Sequence, residues 1–193
     1  MKTFLIELRT SLLAIISLGL ILCLTYPLIV WGLAQGLFPH QANGSLIIKN
    51  GKIIGSELLG QNFTDPKYFH PRPSAAGDSG YDGNSSGGSN FGPLSQKLIE
   101  SVKLRVRDYR AENSLAPQDP VPADAVTASA SGLDPHISRE NALLQVSRVA
   151  AARGVGKQSI LRQVDLFSEQ PDLRLFGETR VNVLLLNLAL DKL

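Results

Sequence analysis

The sequence is poor in the residues on which several kinds of site depend. It has one cysteine, Cys23, which excludes an internal disulfide and a cysteine-based metal site. Its three histidines stand at no metal-ligand spacing, so we predict no metal site. The 19 basic residues nearly balance the 17 acidic residues, and aromatic residues make up 6% of the chain. This composition argues against nucleic acid as a partner.

Catalytic motifs are missing as well. Residues 154–159 (GVGKQS) are similar to a phosphate loop, but Ala151 and Gln158 stand where that loop requires Gly and Ser or Thr. We interpret Gly154 and Gly156 as a turn between two helices. Asp134 and His136 flank a proline and favour a turn. The chain therefore looks like a partner rather than an enzyme, and a membrane-anchored envelope enzyme that uses the Asp134/His136 region is the alternative.

A run without charged residues covers positions 10–48. Within it, residues 11–34 would form a helix of about 36 Å, enough to cross the roughly 30 Å of bilayer hydrocarbon. A cleaved signal peptide, ending at Ala34, is a second possibility, but its apolar region is usually about 7–15 residues long. A buried core helix does not fit, because the segment is apolar on all sides. Pro27 predicts a kink in the helix or a thinner junction.

The flanks of this segment suggest an orientation. Lys2 and Arg9 precede it, which favours an N-terminus in the cytoplasm. We therefore predict a tail at 1–10, a transmembrane helix at 11–34 and a soluble extracytoplasmic domain at 35–193, held in the bacterial plasma membrane.

The soluble part reads as an α+β domain. Two apolar runs flank Asn50-Gly51, which predicts an N-terminal β-hairpin over residues 45–55. Residues 74–93 are rich in Gly and Ser, and this composition alone favours a flexible linker over an ordered binding loop.

Periodicity and capping residues predict the helices of the domain. The predicted segments are a helix from Pro93 to about Asn113, one over 139–153 between a Ser138 cap and Gly154, one over 157–167, and a short strand at 173–176. The last segment, 180–193, is either a helix capped by Thr179 or a buried strand.

Several short stretches, spread over nearly the whole chain, share the order and identity of one family's motifs. They are YPL at 26–28, RPSA at 72–75, SGGSN at 86–90 followed by Gly92-Pro93, SGLDPHIS at 131–138, RVNVL at 180–184, and the residues Gln145, Arg148 and Asn187. In these stretches the chain resembles the C subunit family of the bacterial Kdp potassium-transporting P-type ATPase.

The resemblance implies a non-catalytic subunit of a high-affinity, ATP-driven potassium import complex. Such a subunit assists assembly and raises the ATP affinity of the ATPase subunit. The implied partners are a channel-like potassium-translocating subunit, the P-type ATPase subunit, a very small membrane peptide and membrane lipid. ATP is the implied cofactor, either bound directly or only through the ATPase subunit, and potassium is the transported ion. A domain outside the membrane could affect ATP affinity only indirectly.

The resemblance also supplies candidate residues for subunit contact or structural support. It implies that the Gly/Ser-rich loop at residues 74–93 is an ordered contact surface rather than a linker. No catalytic residue is implied. The candidates are Arg72, Pro73, Ser74, Ser86, Gly87, Gly88, Ser89, Asn90, Gly92, Pro93, Ser131, Gly132, Asp134, Pro135, His136, Gln145, Arg148, Asn182 and Asn187.

Overall fold

The computed structural model describes residues 2–193 of the chain. It divides into two compact units, with the boundary between Leu46 and Ile47. The first unit is dominated by one apolar helix. Apart from a short helix at Pro39–Ala42, the remaining helices and strands lie almost entirely in the second unit, which makes the protein α+β, as predicted.

The apolar helix runs from Lys2 to Leu37 and is long and apolar enough to cross a membrane. It consists of α1 (Lys2–Gly19), a π-helical turn (Leu20–Thr25) and α2 (Tyr26–Leu37). None of the residues in its most apolar stretch is buried within the described part of the chain. The helix therefore includes residues 2–10, which the sequence analysis assigned to a tail. The membrane boundaries at residues 11 and 34 stay a prediction.

The π-helical turn lies immediately before Pro27. Proline has no backbone N–H to donate and its ring crowds the preceding turn, so a regular α-helix is strained at this point. A wider turn relieves that strain. The Thr25 hydroxyl donates a hydrogen bond to the Leu20 carbonyl at 3.1 Å within the wider turn. The structure thus has a π-helical turn close to Pro27, and the kink itself stays a prediction.

A short helix, α3 (Pro39–Ala42), is followed by the predicted hairpin of β1 (Leu46–Lys49) and β2 (Lys52–Ser56). Asn50 and Gly51 both adopt positive φ, at 53° and 74°. These angles suit the two central positions of a type I′ turn, which matches the twist of the paired strands. The hairpin prediction is confirmed.

The other elements are helices and very short strands. In chain order they are α4 (Gln96–Glu112), α5 (Ala123–Val126), β3 (His136–Ser138), α6 (Arg139–Arg153), α7 (Lys157–Leu166), β4 (Ser168–Glu169), β5 (Arg180–Asn182) and α8 (Val183–Leu190). The three strands form an antiparallel sheet in the order β3-β5-β4. Ile137 pairs with Val181 in its centre.

The predictions for α6 and α7 are confirmed. Ser138 caps α6 by accepting a hydrogen bond from the Asn141 N–H at 3.1 Å. Gly154 ends α6 in the left-handed conformation, with φ of 67°, and α7 begins at Lys157. Residues 154–156 are therefore a turn between two helices, and the strand that precedes a phosphate loop is replaced here by α6.

Three other predictions need correction. Helix α4 begins at Gln96 rather than Pro93. The predicted strand at 173–176 is a turn, in which Leu173 and Arg174 have positive φ. The last segment is a strand followed by a helix, and its cap is Asn182 rather than Thr179, because the Asn182 side chain accepts a hydrogen bond from Leu185 N–H at 3.1 Å.

The hydrophobic core lies between α6, α7, α8 and the sheet. Its fully buried side chains come from all four, and Phe69, from the irregular segment before α4, is buried among them. The buried core residues are Phe69, Ile137, Ala142, Val146, Val149, Ala150, Ile160, Val164, Val181, Val183, Leu186 and Leu190.

Side chains of α6 and α8 hold the backbone of the extended segment around Phe69. The buried Asn187 amide accepts from Phe69 N–H at 2.8 Å and donates to Phe69 C=O at 2.9 Å. The Gln145 amide does the same for His70, at 2.7 and 3.1 Å. Arg148 donates to the Tyr68 carbonyl at 2.9 Å. We call residues 66–70, with these three contacts, the strap.

Replacing the Asn187 amide tests the strap directly. In Asn187→Leu a side chain of similar size stays in place, but the buried N–H and C=O of Phe69 lose their partners. Each unpaired buried group costs about 1–3 kcal/mol, so we expect the free energy of unfolding to fall by about 3 kcal/mol. Urea denaturation of the full chain in detergent micelles, followed by circular dichroism, measures this change.

The matched control is Asn84→Leu, which places leucine at an exposed loop position. It should change the free energy of unfolding by less than about 0.5 kcal/mol. Equal effects of the two substitutions would contradict a stabilising role for the strap.

Candidate functional site

The Gly/Ser loop is fastened to the segment that follows α5. Ser74 Oγ donates to the Gly132 carbonyl at 2.6 Å, and Ser86 Oγ donates to the Ser131 carbonyl at 3.0 Å. The Gly87 N–H donates to the same Ser131 carbonyl at 2.9 Å. The loop is therefore held by specific hydrogen bonds, so the flexible-linker interpretation is wrong. We call residues 74–93 together with residues 129–136 the loop platform.

Close backbone contact within the loop platform requires glycine at position 132. Gly132 is buried and has φ of 68°. A Cβ atom there would lie 2.6 Å from the Gly87 carbonyl oxygen and 2.7 Å from the Ala76 nitrogen. Any side chain would push the loop away from the segment, because both neighbours are backbone atoms.

Ser74 organises the beginning of the loop. Besides donating to Gly132, its hydroxyl oxygen accepts from the N–H groups of Ala76 and Tyr81, at 3.1 and 2.8 Å. The Tyr81 hydroxyl donates to the Arg72 carbonyl. Burial raises the pKa of Tyr81 to about 12, so it stays a neutral donor at physiological pH. Ser74 and Tyr81 together close this part of the loop.

Asp134 stabilises the turn within the motif SGLDPHIS at residues 131–138. One carboxylate oxygen accepts from His136 N–H at 2.9 Å, and the other pairs with Arg72 at 2.9 Å. Burial opposes ionisation, but the hydrogen bonds from His136 and the charge of Arg72 outweigh it, so the pKa of Asp134 lies below its ordinary value. Both oxygens are engaged, and this geometry does not support the enzyme alternative at Asp134/His136.

His136 also lies near a second carboxylate. Its Nε2 is 3.7 Å from Glu169, and Arg180 donates to that same carboxylate at 2.8 Å. These residues cross-link β3, β4 and β5 at one edge of a groove of about 510 Å3. The arrangement joins the loop platform to the sheet.

Asp124 was not singled out from the sequence, yet it supports the start of α6. Its carboxylate accepts from Ser138 N–H and Ser138 Oγ, at 2.8 and 2.9 Å, and from the Asn141 amide at 2.9 Å. No local pattern reveals this role, because the partners lie 14 and 17 residues away.

The other candidate residues fall into two groups. Gln145, Arg148, Asn182, Asn187 and Pro135 support the domain from inside: Asn182 donates to the Glu57 carbonyl at 2.8 Å, and the Pro135 carbonyl accepts from Val183 N–H at 3.0 Å. The second group lies along the loop platform. Ser89, Asn90, Gly92 and Pro93 are exposed, whereas Pro73 and Gly88 are half-buried.

The loop platform borders a groove of about 760 Å3. Exposed Leu58 and Leu59 form part of its lining, and Ser86 and Ser131 add polar groups. Within residues 2–193, His, Cys, Asp and Glu form no group of three that could hold a metal ion.

Comparison with known proteins gives one consistent result. The sequence profile of the family described as "K+-transporting ATPase, c chain" (KdpC) matches residues 8–192. Three relatives, each named "Potassium-transporting ATPase KdpC subunit", are similar over nearly their whole length. The relative from Nitratidesulfovibrio vulgaris is 54% identical, over 96% of this chain and 93% of its own. The relative from Myxococcus xanthus is 53% identical, over 99% of this chain and 88% of its own. The relative from Mycobacterium bovis is 49% identical, over 97% of this chain and 98% of its own.

Substitution of Gly132 tests the close contact in the loop platform. In Gly132→Ala the new methyl group meets two backbone atoms and must adopt positive φ, so we expect the loop to detach from the segment. Limited proteolysis of the full chain in detergent should then cut residues 77–92 many times faster than in the unchanged protein.

Gly92→Ala is the matched control, because nothing lies within 4 Å of the added Cβ and φ is not positive. It should leave the cleavage rate unchanged. Slow cleavage in Gly132→Ala would show that the loop does not depend on this contact.

Proposed function

Because the chain belongs to the KdpC family of K+-transporting ATPase C chains, we propose that it is a non-catalytic accessory subunit of a high-affinity, ATP-driven potassium import complex. The observation that carries the proposal is the family match over residues 8–192, which includes the apolar helix and the whole soluble unit. The engagement of Asp134 within its own turn adds support, because both oxygens of that carboxylate already have partners.

The proposed partners are a channel-like potassium-translocating subunit, a P-type ATPase subunit and a small membrane peptide. The subunit assists their assembly. The exposed rim of the loop platform, with Ser89, Asn90, Gly92 and Pro93, contacts a partner subunit. A rim of this kind is held in one conformation before binding, which lowers the entropy cost of association.

The proposed orientation has the N-terminus in the cytoplasm and residues 35–193 outside the plasma membrane. In that arrangement the domain has no access to cytoplasmic ATP. The subunit then raises the ATP affinity of the ATPase subunit indirectly, by binding more tightly to its high-affinity conformation. A coupling of this kind is typically worth about 1–3 kcal/mol, or roughly 5- to 150-fold in affinity. The turn at residues 154–156 supports indirect action, since it joins two helices and residues 154–159 do not match the phosphate-loop pattern.

The function is tested by purifying a tagged full chain from potassium-starved cells in mild detergent. We expect a multi-spanning membrane subunit and a P-type ATPase to be recovered with it. Potassium-stimulated ATP hydrolysis should be present in this complex. In membranes of potassium-starved cells that lack the chain, this hydrolysis should be absent or should have a raised KM for ATP. A chain that is recovered alone, with hydrolysis unchanged by its deletion, would contradict the proposal.

Two exposed serines of the same loop test the contact surface. Ser89→Arg places a bulky charge on the proposed rim, and Ser79→Arg places the same group elsewhere on the loop. Ser89→Arg should reduce recovery of the partner subunits while the chain stays folded, and Ser79→Arg should not. Equal recovery of partners with both variants would place the contact elsewhere.

A further inference from the structure

The hairpin of β1 and β2 ends in an exposed amphipathic tip. The two-residue turn at Asn50-Gly51 sets Ile48 opposite Ile53 and Lys49 opposite Lys52. Because side chains alternate along a strand, the isoleucine pair occupies one face and the lysine pair the other. Ile48 is 65% exposed and Ile53 is 63% exposed. Two β-branched side chains thus form an apolar patch that the described part of the chain leaves largely uncovered.

The lysine pair is unfavourable without an anion. Like charges placed directly opposite each other in an antiparallel pair destabilise it. Both lysines are exposed and stand beside the polar turn. An anionic group that binds between the two ammonium groups would remove the repulsion. The tip therefore suits a partner that offers apolar and anionic groups at adjacent depths.

The hairpin follows the apolar helix closely along the chain. Helix α2 ends at Leu37 and β1 begins at Leu46, with residues 38–45 between them. A connection of that length spans at most about 30 Å. A membrane surface at the end of the helix is thus within reach of the tip, whichever side of the membrane the domain occupies.

We propose that the β1–β2 tip docks on the lipid bilayer beside the helix. Ile48 and Ile53 enter the boundary between headgroups and acyl chains, where apolar side chains next to basic ones bind well. Lys49 and Lys52 bind the phosphates of anionic lipids, which attract basic residues near the surface. The proposal rests on the membrane location of the apolar helix and not on the role in potassium transport, so the two can fail separately.

Spin labelling measures the depth of the tip. The full chain carries Cys23→Ser, to remove the native cysteine, together with Ile53→Cys or Ile48→Cys as the labelling site. It is reconstituted alone in vesicles of phosphatidylcholine and phosphatidylglycerol. Collisions of the nitroxide with oxygen, which enters lipid, are compared with collisions with a water-soluble nickel chelate. The control label replaces Leu104, an exposed leucine of α4 that also lies between basic residues.

We expect the ratio of oxygen to nickel collisions to be several-fold higher at positions 53 and 48 than at position 104. The variant Lys49→Gln/Lys52→Gln should move the label at Ile53 toward water, and Lys97→Gln/Lys103→Gln, an exposed pair on α4, should not. A ratio equal to that at position 104 would overturn the proposal. Protection from both reagents would also overturn it, because that result indicates protein contact. An unchanged label depth in Lys49→Gln/Lys52→Gln would overturn the phosphate contact.

Discussion

The soluble unit depends on two buried side-chain amides that pair with a segment of irregular backbone. Asn187 and Gln145 each bind both the N–H and the C=O of one residue, as a neighbouring β-strand would. Phe69 can therefore enter the core although its segment belongs to no helix or sheet. Burial removes the hydrogen bonds between a segment's backbone and water. Without such partners the buried N–H and C=O groups would stay unpaired, at considerable cost in folding free energy.

The strap also determines where the loop platform lies. Arg72 and Ser74 lie two and four residues after His70. Arg72 provides the ion pair to Asp134, and Ser74 provides the hydrogen bond to the Gly132 carbonyl. Polar side chains of α6 and α8 thus hold the strap in place, and the residues that follow the strap hold the loop platform. The polar groups on the inner side of the loop platform already have hydrogen-bond partners within the domain. Its exposed rim is therefore available to a partner.

Local features could be predicted from the sequence, because the residues that determine them are adjacent. Asn50-Gly51 determines its own turn, and Ser138 and Gly154 determine the ends of α6. The strap could not be predicted this way, since Gln145 and His70 are 75 residues apart. The cap at Asn182 was missed because β5 delays the start of the helix, and the pairing of β5 depends on β3 and β4. The candidate residues came from family resemblance, and the structure separates those of the interior from those of the rim.

Hydrogen exchange tests most directly the claim that the strap positions the loop platform. The measurement compares the full chain with Gln145→Met, which keeps the bulk of the side chain but loses both hydrogen bonds to His70. The account predicts that exchange rises together in residues 66–70 and at the backbone amides of Gly87 and Gly132, while α7 keeps its protection. Faster exchange in the strap alone, with Gly87 and Gly132 protected as before, would contradict it.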